Sequence, residues 1–266
     1  MALGNLGVIG FGTMGSAIVG GLIQAGVYMP SDIHVYDIDS DKIARAKENG
    51  HFVHSSVAQL GASSSTVLLA VKPRDIPDVV KALRGIDTID LVISIAAGIS
   101  TELIESVLTD TAVVRAMPNT PCMVGAGAVV ISKGTNTREE HIKRTKTILG
   151  ATGFVTELPE TLMDAVTGLS GSGPAFVALM IEALSDGGVK MGLPRQTALK
   201  LAVQTVYGTA LLIMKNGIHP SKLKDMVSSP GGTTIEGIAV LETGAFRGTV
   251  IRAVEAATHR SMELGS

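Results

Sequence analysis

The sequence lacks the residues that hold many secreted and metal-binding proteins together. It contains one cysteine, Cys122, and no tryptophan. A single cysteine cannot form an intrachain disulfide, so we expect a protein of the cytoplasm rather than of an oxidising compartment. No cluster of histidine and cysteine has the spacing of metal ligands, because His51 and His54 have no further suitable ligand beside them. We therefore predict that the protein holds no metal ion.

Strong charge and very long apolar runs are also missing. The formal net charge is -2 and the pI is about 6.3, which gives no reason to expect nucleic acid or an acidic membrane as a partner. Mean hydropathy is positive, at +0.38. The longest apolar stretches, 174–184 and 201–214, nevertheless include polar residues and fall short of the roughly 20 residues that span a bilayer. We predict a soluble protein without a membrane or nucleic-acid partner.

A glycine-rich turn near the start carries the first functional signal. The turn has six consecutive residues, Gly10, Phe11, Gly12, Thr13, Met14 and Gly15, between an apolar run at 6–9 and a helix-prone stretch. This G-x-G-x-x-G pattern is typical of a dinucleotide site, where Gly10 permits the turn, Gly12 admits the pyrophosphate and Gly15 allows close helix packing. Free N–H groups at the helix start would then face the phosphates. We predict that all six residues bind a nicotinamide dinucleotide.

The order of elements indicates two domains. Strands are predicted at 6–9, 33–37, 52–54, 67–71, 91–95, 113–116, 128–131 and 154–157, alternating with helices at 14–25, 40–49, 76–83, 101–108 and 138–149. Only helices are predicted afterwards, at 161–169, 174–190, 194–216, 221–227, 234–243 and 246–264. We infer an α/β fold, with a doubly wound Rossmann domain at 1–158 and an all-α domain at 159–266. The helix at 174–190 begins apolar on every side, which predicts packing against a second subunit.

Asp37 is the second cofactor signal, because it closes the second predicted strand. A carboxylate there accepts hydrogen bonds from the adenosine ribose, which favours NADH over NADPH. Asp39 has two equally good interpretations, a ribose contact or a cap of the next helix. Lys42 and Arg45 lie one helical turn further on, where either would meet a 2′-phosphate. The preference between NADH and NADPH therefore stays open.

Further candidate cofactor residues follow other predicted strands at the carboxyl edge of the sheet, where such folds bind ligands. They are Ala70, Val71, Lys72, Pro73, Ala96, Ala97, Gly98 and Asn119. Lys72 would stand beside the cofactor, although an ordinary surface lysine is an equally good interpretation.

A second glycine-rich loop lies in the helical half. Thr233 and Glu236 fit a capping box, which places a helix start directly after glycines whose N–H groups are exposed. Such a loop can bind a small carboxylate, with the hydroxyls of Ser229, Thr233 and Thr234 beside it. A plain helix cap is the alternative.

The chain resembles the pyrroline-5-carboxylate reductase family from residue 6 to about residue 264. The motifs are V-I-G-F-G-T-M-G at 8–15, L-A-V-K-P at 69–73, A-A-G at 96–98, R-A-M-P-N-T-P at 115–121, L-S-G-S-G-P-A-F at 169–176, D-G-G-V-K-M-G-L-P-R at 186–195 and H-P-S-K-L-K-D-M-V-S-S-P-G-G-T-T at 219–234. The resemblance implies reduction of 1-pyrroline-5-carboxylate to L-proline, the last step of proline biosynthesis, by hydride transfer from NADPH or NADH. It also implies a helical domain that joins two subunits, within a dimer or a decamer.

The resemblance further implies roles for individual residues. Substrate-binding residues would be Ser229, Gly231, Gly232, Thr233 and Thr234. Thr234 would hydrogen-bond the ring nitrogen and, with Lys72, form the catalytic pair, while Ser56 would contact the cofactor near the adenosine ribose.

Other functions remain open at this point. A β-hydroxyacid dehydrogenase or another imine reductase has a similar architecture, although a hydroxyacid dehydrogenase typically needs a lysine on the helix after a glycine-rich loop. Lys190 lies too far beyond Pro174 to match that position easily. A non-catalytic dinucleotide-binding protein is a third interpretation.

Overall fold

The computed structural model of the protein describes residues 3–265 and divides them into two compact units. The first contains residues up to Ser172 together with those from Ala256 onward, and the second is Gly173–Glu255. The predicted domain boundary after residue 158 stays a prediction, because compactness within one subunit does not define a dimerisation domain.

The first unit is built on one eight-stranded sheet in the order β3-β2-β1-β4-β5-β6-β7-β8. The strands are β1 (Leu6–Ile9), β2 (Ile33–Tyr36), β3 (Phe52–Val53), β4 (Thr66–Leu69), β5 (Leu91–Ser94), β6 (Ala112–Met117), β7 (Gly127–Lys133) and β8 (Gly153–Glu157). All eight predicted strands are present, and the Rossmann-type sheet is confirmed. The order reverses between β1 and β4, which is the point where doubly wound sheets bind ligands.

Two strands, β7 and β8, depart from the parallel arrangement expected of a buried doubly wound sheet. β7 runs antiparallel to β6, whereas β8 is parallel to β7. The segment between β6 and β7 spans only 118–126 and includes a short 3-10 turn at Thr120–Val124. A parallel return needs a crossover of about a dozen or more residues, so this connection turns the chain straight back.

Seven helices of the described chain pack around this sheet. They are α1 (Thr13–Gln24), α2 (Ser40–Glu48), α3 (Val57–Ala62), α4 (Ile76–Leu83), α5 (Thr101–Glu105), α6 (Glu139–Gly150) and α7 (Met163–Val166). Both faces of the sheet are apolar: Leu68 joins one core cluster, and its neighbours Val67 and Leu69 join the other. Successive residues of a strand point to opposite faces, which explains the continuous apolar runs in the sequence.

The second unit consists of helices, as predicted. They are α8 (Gly173–Lys190), α9 (Arg195–Asn216), α10 (Pro220–Met226), α11 (Thr233–Thr243) and the first part of α12 (Phe246–Gly265), whose end belongs to the first unit. Only Ser185 is buried in α8, and Leu179 is 67% exposed. A single copy of the chain thus leaves the apolar helix uncovered.

Two helical stretches of this region are longer than the apolar runs in the sequence suggest. Glu160–Lys190 and Arg195–Asn216 are long and apolar enough to cross a membrane by length and composition alone, and 11% of the most apolar 18-residue window of each is buried within the chain. Both helices extend beyond the apolar runs 174–184 and 201–214, and their length alone does not distinguish them from membrane-spanning helices. The same two properties also describe a helix that a partner subunit covers.

Candidate functional site

The glycine-rich turn has the geometry that its sequence predicts. Gly10 has a φ of 95°, and a Cβ atom there would lie 2.5 Å from the carbonyl oxygen of Ala70. A Cβ atom on Gly15 would collide with the carbonyl oxygen of Gly10. At Gly12, by contrast, no heavy atom of the described chain beyond Gly12 and its two sequence neighbours lies within 4 Å of the corresponding position. The turn is therefore tight on the protein side and open where a pyrophosphate would approach.

Helix α1 begins beside this opening. Gly12 is its N-cap, and no side chain within the described residues caps the N–H groups of its first turn. These N–H groups and the positive end of the helix dipole suit an anion. The structure thus contains a turn and a helix start that fit the diphosphate of a dinucleotide.

Asp37 lies beside the turn, where β2 ends. Its Oδ2 accepts a hydrogen bond of 2.6 Å from the Phe11 N–H, and its Oδ1 accepts one of 3.0 Å from the Asp39 N–H. The side chain is only 7% exposed. Lys42 places its Nζ 3.7 Å from Asp37 Oδ1 and 3.4 Å from Asp39 Oδ2. Asp37 is therefore at the predicted place and additionally holds the turn.

Two other predicted contacts act as helix caps in the structure. The Asp39 side chain accepts from the Asp41 N–H at 3.0 Å, and Ser56 accepts from the Gln59 N–H at 3.2 Å. The hydrogen bond from the Asp41 N–H, together with Lys42, lowers the pKa of Asp39 below its usual value. Asp39 thus follows the capping interpretation. Ser56 can still donate its own proton, so its cofactor contact stays a prediction.

A cavity of about 290 Å³ continues from the glycine turn. Its lining residues are Ile9, Gly10, Tyr36, Asp37, Ile38, Val57, Val71, Asp75, Asp78 and Val79. Two of these carboxylates, Asp75 and Asp78, were not singled out in the sequence. The available signal was their position just after Lys72-Pro73, at the start of α4. The cavity has the place expected of an adenosine pocket.

A second cavity of the first unit, of about 370 Å³, lies at the carboxyl ends of β4 and β5. It brings together the predicted residues Pro73, Ala97 and Gly98. It also includes residues that sequence reasoning missed: Thr167, Ser172, Ala257, Arg260, Ser261 and Leu264. Several of these come from α12, whose approach to the sheet has no local signal in the sequence.

Asn119 and Lys72 differ in how firmly the fold holds them. The Asn119 amide nitrogen donates to the Ser170 carbonyl at 3.1 Å, while its amide oxygen accepts from the Ala128 N–H at 2.9 Å. Both groups thus tie loops of the protein together. Lys72 is exposed and forms no ion pair with any residue in the described part of the chain. Cofactor roles for both stay predictions.

The second glycine-rich loop lies in the helical unit. Helix α11 begins at Thr233 with Gly232 as its N-cap, so the predicted capping box with Thr233 at the cap position is wrong by one residue. Gly231 has a φ of 67°, and the Gly232 N–H donates to the Ser229 carbonyl at 3.1 Å. Because glycine supplies no capping side chain, the first N–H groups of α11 are left for a ligand. This arrangement fits a small carboxylate.

Comparisons with known proteins match the regions that contain the two glycine-rich loops. A model described as pyrroline-5-carboxylate reductase dimerisation matches residues 160–264, and one described as NADP oxidoreductase coenzyme F420-dependent matches residues 5–98. Pyrroline-5-carboxylate reductase of Synechocystis is 49% identical over 98% of both chains.

Solved structures extend this similarity to the fold. A pyrroline-5-carboxylate reductase from Coxiella burnetii has a TM-score of 0.93 at 37% identity and covers 99% of both chains. Pyrroline carboxylate reductase of Plasmodium falciparum, with NADP bound, has a TM-score of 0.90 at 34% identity over 100% of both chains. Such identity over nearly the whole length exceeds a likeness of fold alone, and the chain belongs to the pyrroline-5-carboxylate reductase family.

Proposed function

We propose that this protein reduces 1-pyrroline-5-carboxylate to L-proline with NADPH or NADH. The observation that carries the proposal is the full-length identity of 49% to a pyrroline-5-carboxylate reductase. A glycine-rich turn at the start of α1 and a helix start without a side-chain cap at α11 support it, because they would supply the two binding elements that the reaction needs.

The residues of the glycine turn fit the cofactor. Gly12 leaves open space, and the first N–H groups of α1 can bind the diphosphate. The cavity at Asp37 would take the adenosine ribose, and the cavity at Pro73, Ala97 and Gly98 would take the nicotinamide end. A bound reduced nicotinamide supplies the hydride.

The helical unit would bind the imine. N–H groups at the start of α11, near Gly232 and Thr233, would hold the substrate carboxylate. The Thr234 hydroxyl would hydrogen-bond the ring nitrogen and orient the C=N bond. A protonated imine already accepts hydride readily, so catalysis rests on positioning and electrostatics rather than on a strong side-chain acid. Lys72 would add positive charge near the cofactor.

Two copies of the chain would complete the enzyme. The dimerisation model supports a homo-oligomer, and we assign substrate binding and dimerisation to residues 159–266. The exposed faces of α8 and α9, which lie within the range matched by that model, support burial against a second copy. We place the enzyme in the cytoplasm, and a decamer of five dimers is the largest assembly that we propose.

One assay tests this function directly. Purified protein is mixed with NADPH or NADH and pyrroline-5-carboxylate, and oxidation of the nucleotide and formation of proline are measured together. The matched reaction contains a 3-hydroxy acid and the oxidised nucleotide. We expect turnover only with the imine. Turnover only with the hydroxy acid would assign the protein to the dehydrogenase alternative, and nucleotide binding without turnover would leave a non-catalytic protein.

A further inference from the structure

Arg45 lies on α2 and reaches back to the glycine turn. Its Nη2 donates to the carbonyl oxygen of Phe11 at 3.0 Å, and its Cζ lies 5.4 Å from the centroid of the Phe11 ring. A guanidinium over an aromatic face is attracted to the ring as well as hydrogen-bonded. Arg45 is thus engaged by the turn itself rather than directed only to a 2′-phosphate.

The backbone N–H of Phe11 is held as well, by Asp37. This N–H donates to Asp37 Oδ2 at 2.6 Å. The Phe11 ring is 1% exposed, and the His51 ring meets it edge-on at 5.6 Å between centroids. Phe11 is therefore fixed at its N–H, its carbonyl and its side chain, although glycine precedes and follows it.

Fixing the Phe11 carbonyl also fixes the next N–H group. In a trans peptide the C=O of one residue and the N–H of the next point in opposite directions. The described chain contains no cis peptide bond, and it offers no acceptor for the Gly12 N–H. The bond from Arg45 therefore fixes the direction of the Gly12 N–H, which points away from the Arg45 side chain.

We propose that Arg45 is a positioning residue for the dinucleotide, which rests on the proposed use of NADPH or NADH. Together with Asp37 it clamps Phe11, so that the Gly12 N–H is oriented before the ligand arrives. Glycines otherwise give the turn many conformations, and binding would have to restrict them. A turn that is already ordered avoids this entropic cost.

This role differs measurably from that of a 2′-phosphate ligand. The clamp acts on the turn that would bind the diphosphate, a group that NADH and NADPH share. Its loss therefore weakens the binding of both nucleotides equally. A phosphate ligand would discriminate between them. The clamp also acts on binding, so turnover at saturating cofactor is preserved.

The test is titration of NADH and of NADPH into the full-length protein, without imine, for the wild type and Arg45→Met. Methionine retains much of the length and packing of arginine but cannot donate to the Phe11 carbonyl. We expect both Kd values to rise by about fivefold, the effect of one net hydrogen bond, with their ratio unchanged. Arg45→Lys keeps a donor but loses the planar guanidinium over the Phe11 ring, so both Kd values should rise less than they do in Arg45→Met.

Lys47→Met is the matched control, because Lys47 is an exposed basic residue of the same helix and its loss should leave both Kd values unchanged. Weaker binding of NADPH alone would make Arg45 a phosphate ligand and overturn the proposal, as would unchanged affinity for both. An incorrect imine substrate would leave this titration intact, whereas a wild-type protein that binds neither nucleotide would overturn the proposed function as well.

Discussion

Asp37 carries a negative charge into the pocket that would receive the adenosine ribose, and both of its oxygens already accept backbone N–H groups. Each carboxylate oxygen can accept more than one hydrogen bond, so a ribose hydroxyl can still bind. A 2′-phosphate would instead meet Asp37 with Asp75 and Asp78 lining the same cavity. The like charges in this pocket therefore predict a preference for NADH.

Replacing Asp37 by serine tests this preference. Asp37→Ser removes one charge and offers a hydroxyl donor, so we expect the ratio of kcat/KM for NADPH to that for NADH to rise about tenfold, which corresponds to about 1.4 kcal/mol. Both values will fall in absolute terms, because the Phe11 N–H loses its carboxylate acceptor. Asp41→Ser, an exposed carboxylate in the first turn of α2, is the charge-matched control. An unchanged ratio in Asp37→Ser would leave Asp37 a structural residue only.

The proposed role of Thr234 rests on one hydrogen bond, between its hydroxyl and the ring nitrogen of the substrate. We expect Thr234→Ala to lower kcat/KM for pyrroline-5-carboxylate by about tenfold or more, because loss of a site hydrogen bond costs roughly 1.4 kcal/mol or above. Thr243→Ala removes a hydroxyl from the other end of α11, where it donates to the Ala239 carbonyl at 2.8 Å, and should leave kcat/KM unchanged. Equal kinetics for the two variants would remove Thr234 from the site.

Residues whose roles depend on their neighbours in the sequence could be predicted, whereas residues whose partners lie far along the chain could not. Gly10 and Gly15 are recognisable because their structural roles depend on a pattern of six consecutive residues. The amide of Asn119 bonds to Ser170, 51 positions along the chain, which no local pattern reveals. The clamp on Phe11 likewise joins residues 26 and 34 positions apart.

At the scale of elements, short apolar runs predicted every strand, but the sequence pattern did not predict helix α3 or the direction of β7. α3 has only six residues, too few to display a helical repeat beyond its cap at Ser56. The direction of β7 depends on the length of a connection rather than on the strand's own composition. The start of α6 shifted as well, since Arg138 is its N-cap and its N–H donates to His141 Nδ1 at 3.0 Å.

The turn between β1 and α1 allows a prediction that rests on the open space at Gly12 rather than on a side-chain contact. A Cβ atom at Gly12 meets no described atom within 4 Å, and the φ of Gly12, −73°, is one that alanine adopts freely. Gly12→Ala should therefore fold, with a small loss of Tm because alanine is a poorer N-cap than glycine. Its methyl group would stand where the diphosphate approaches, so the Kd for NADH and NADPH should rise by about tenfold or more.

Gly20→Ala is the matched control, because Gly20 lies in the same helix and also has open space at its Cβ position. Alanine in a helix interior is favoured over glycine by about 0.5–1 kcal/mol, so this variant should gain stability and bind both nucleotides as the wild type does. Normal nucleotide affinity in Gly12→Ala would show that the diphosphate lies elsewhere.

On the scale of the whole molecule, the helical unit of one copy is incomplete. A cavity of about 560 Å³ opens between α8 and the segment from α11 to α12, lined by Phe176, Leu179, Met180, Ala183, Leu184, Leu241, Phe246, Thr249, Val250 and Ala253. The sequence predicts that the first part of α8, at 175–181, needs cover on every side, since its apolar residues leave no polar face. It does not reveal which surface supplies the cover, because that depends on two copies fitting together.

Leu179→Lys tests whether a second copy fills this cavity. Leu179 is 67% exposed in one chain, so lysine should be tolerated within the subunit itself. In a symmetric dimer the change occurs twice, and losing two buried leucines weakens association by about 3 kcal/mol or more, before the cost of two buried charges. Sedimentation should then show monomers, with the helical content retained and proline formation lost.

Met29→Lys is the control, because it places the same charge on a residue of the dinucleotide-binding unit that is 66% exposed. This variant should remain oligomeric and active. An active monomeric wild type, or a Leu179→Lys variant that stays oligomeric, would contradict this arrangement, because the uncovered face of α8 would then need another partner.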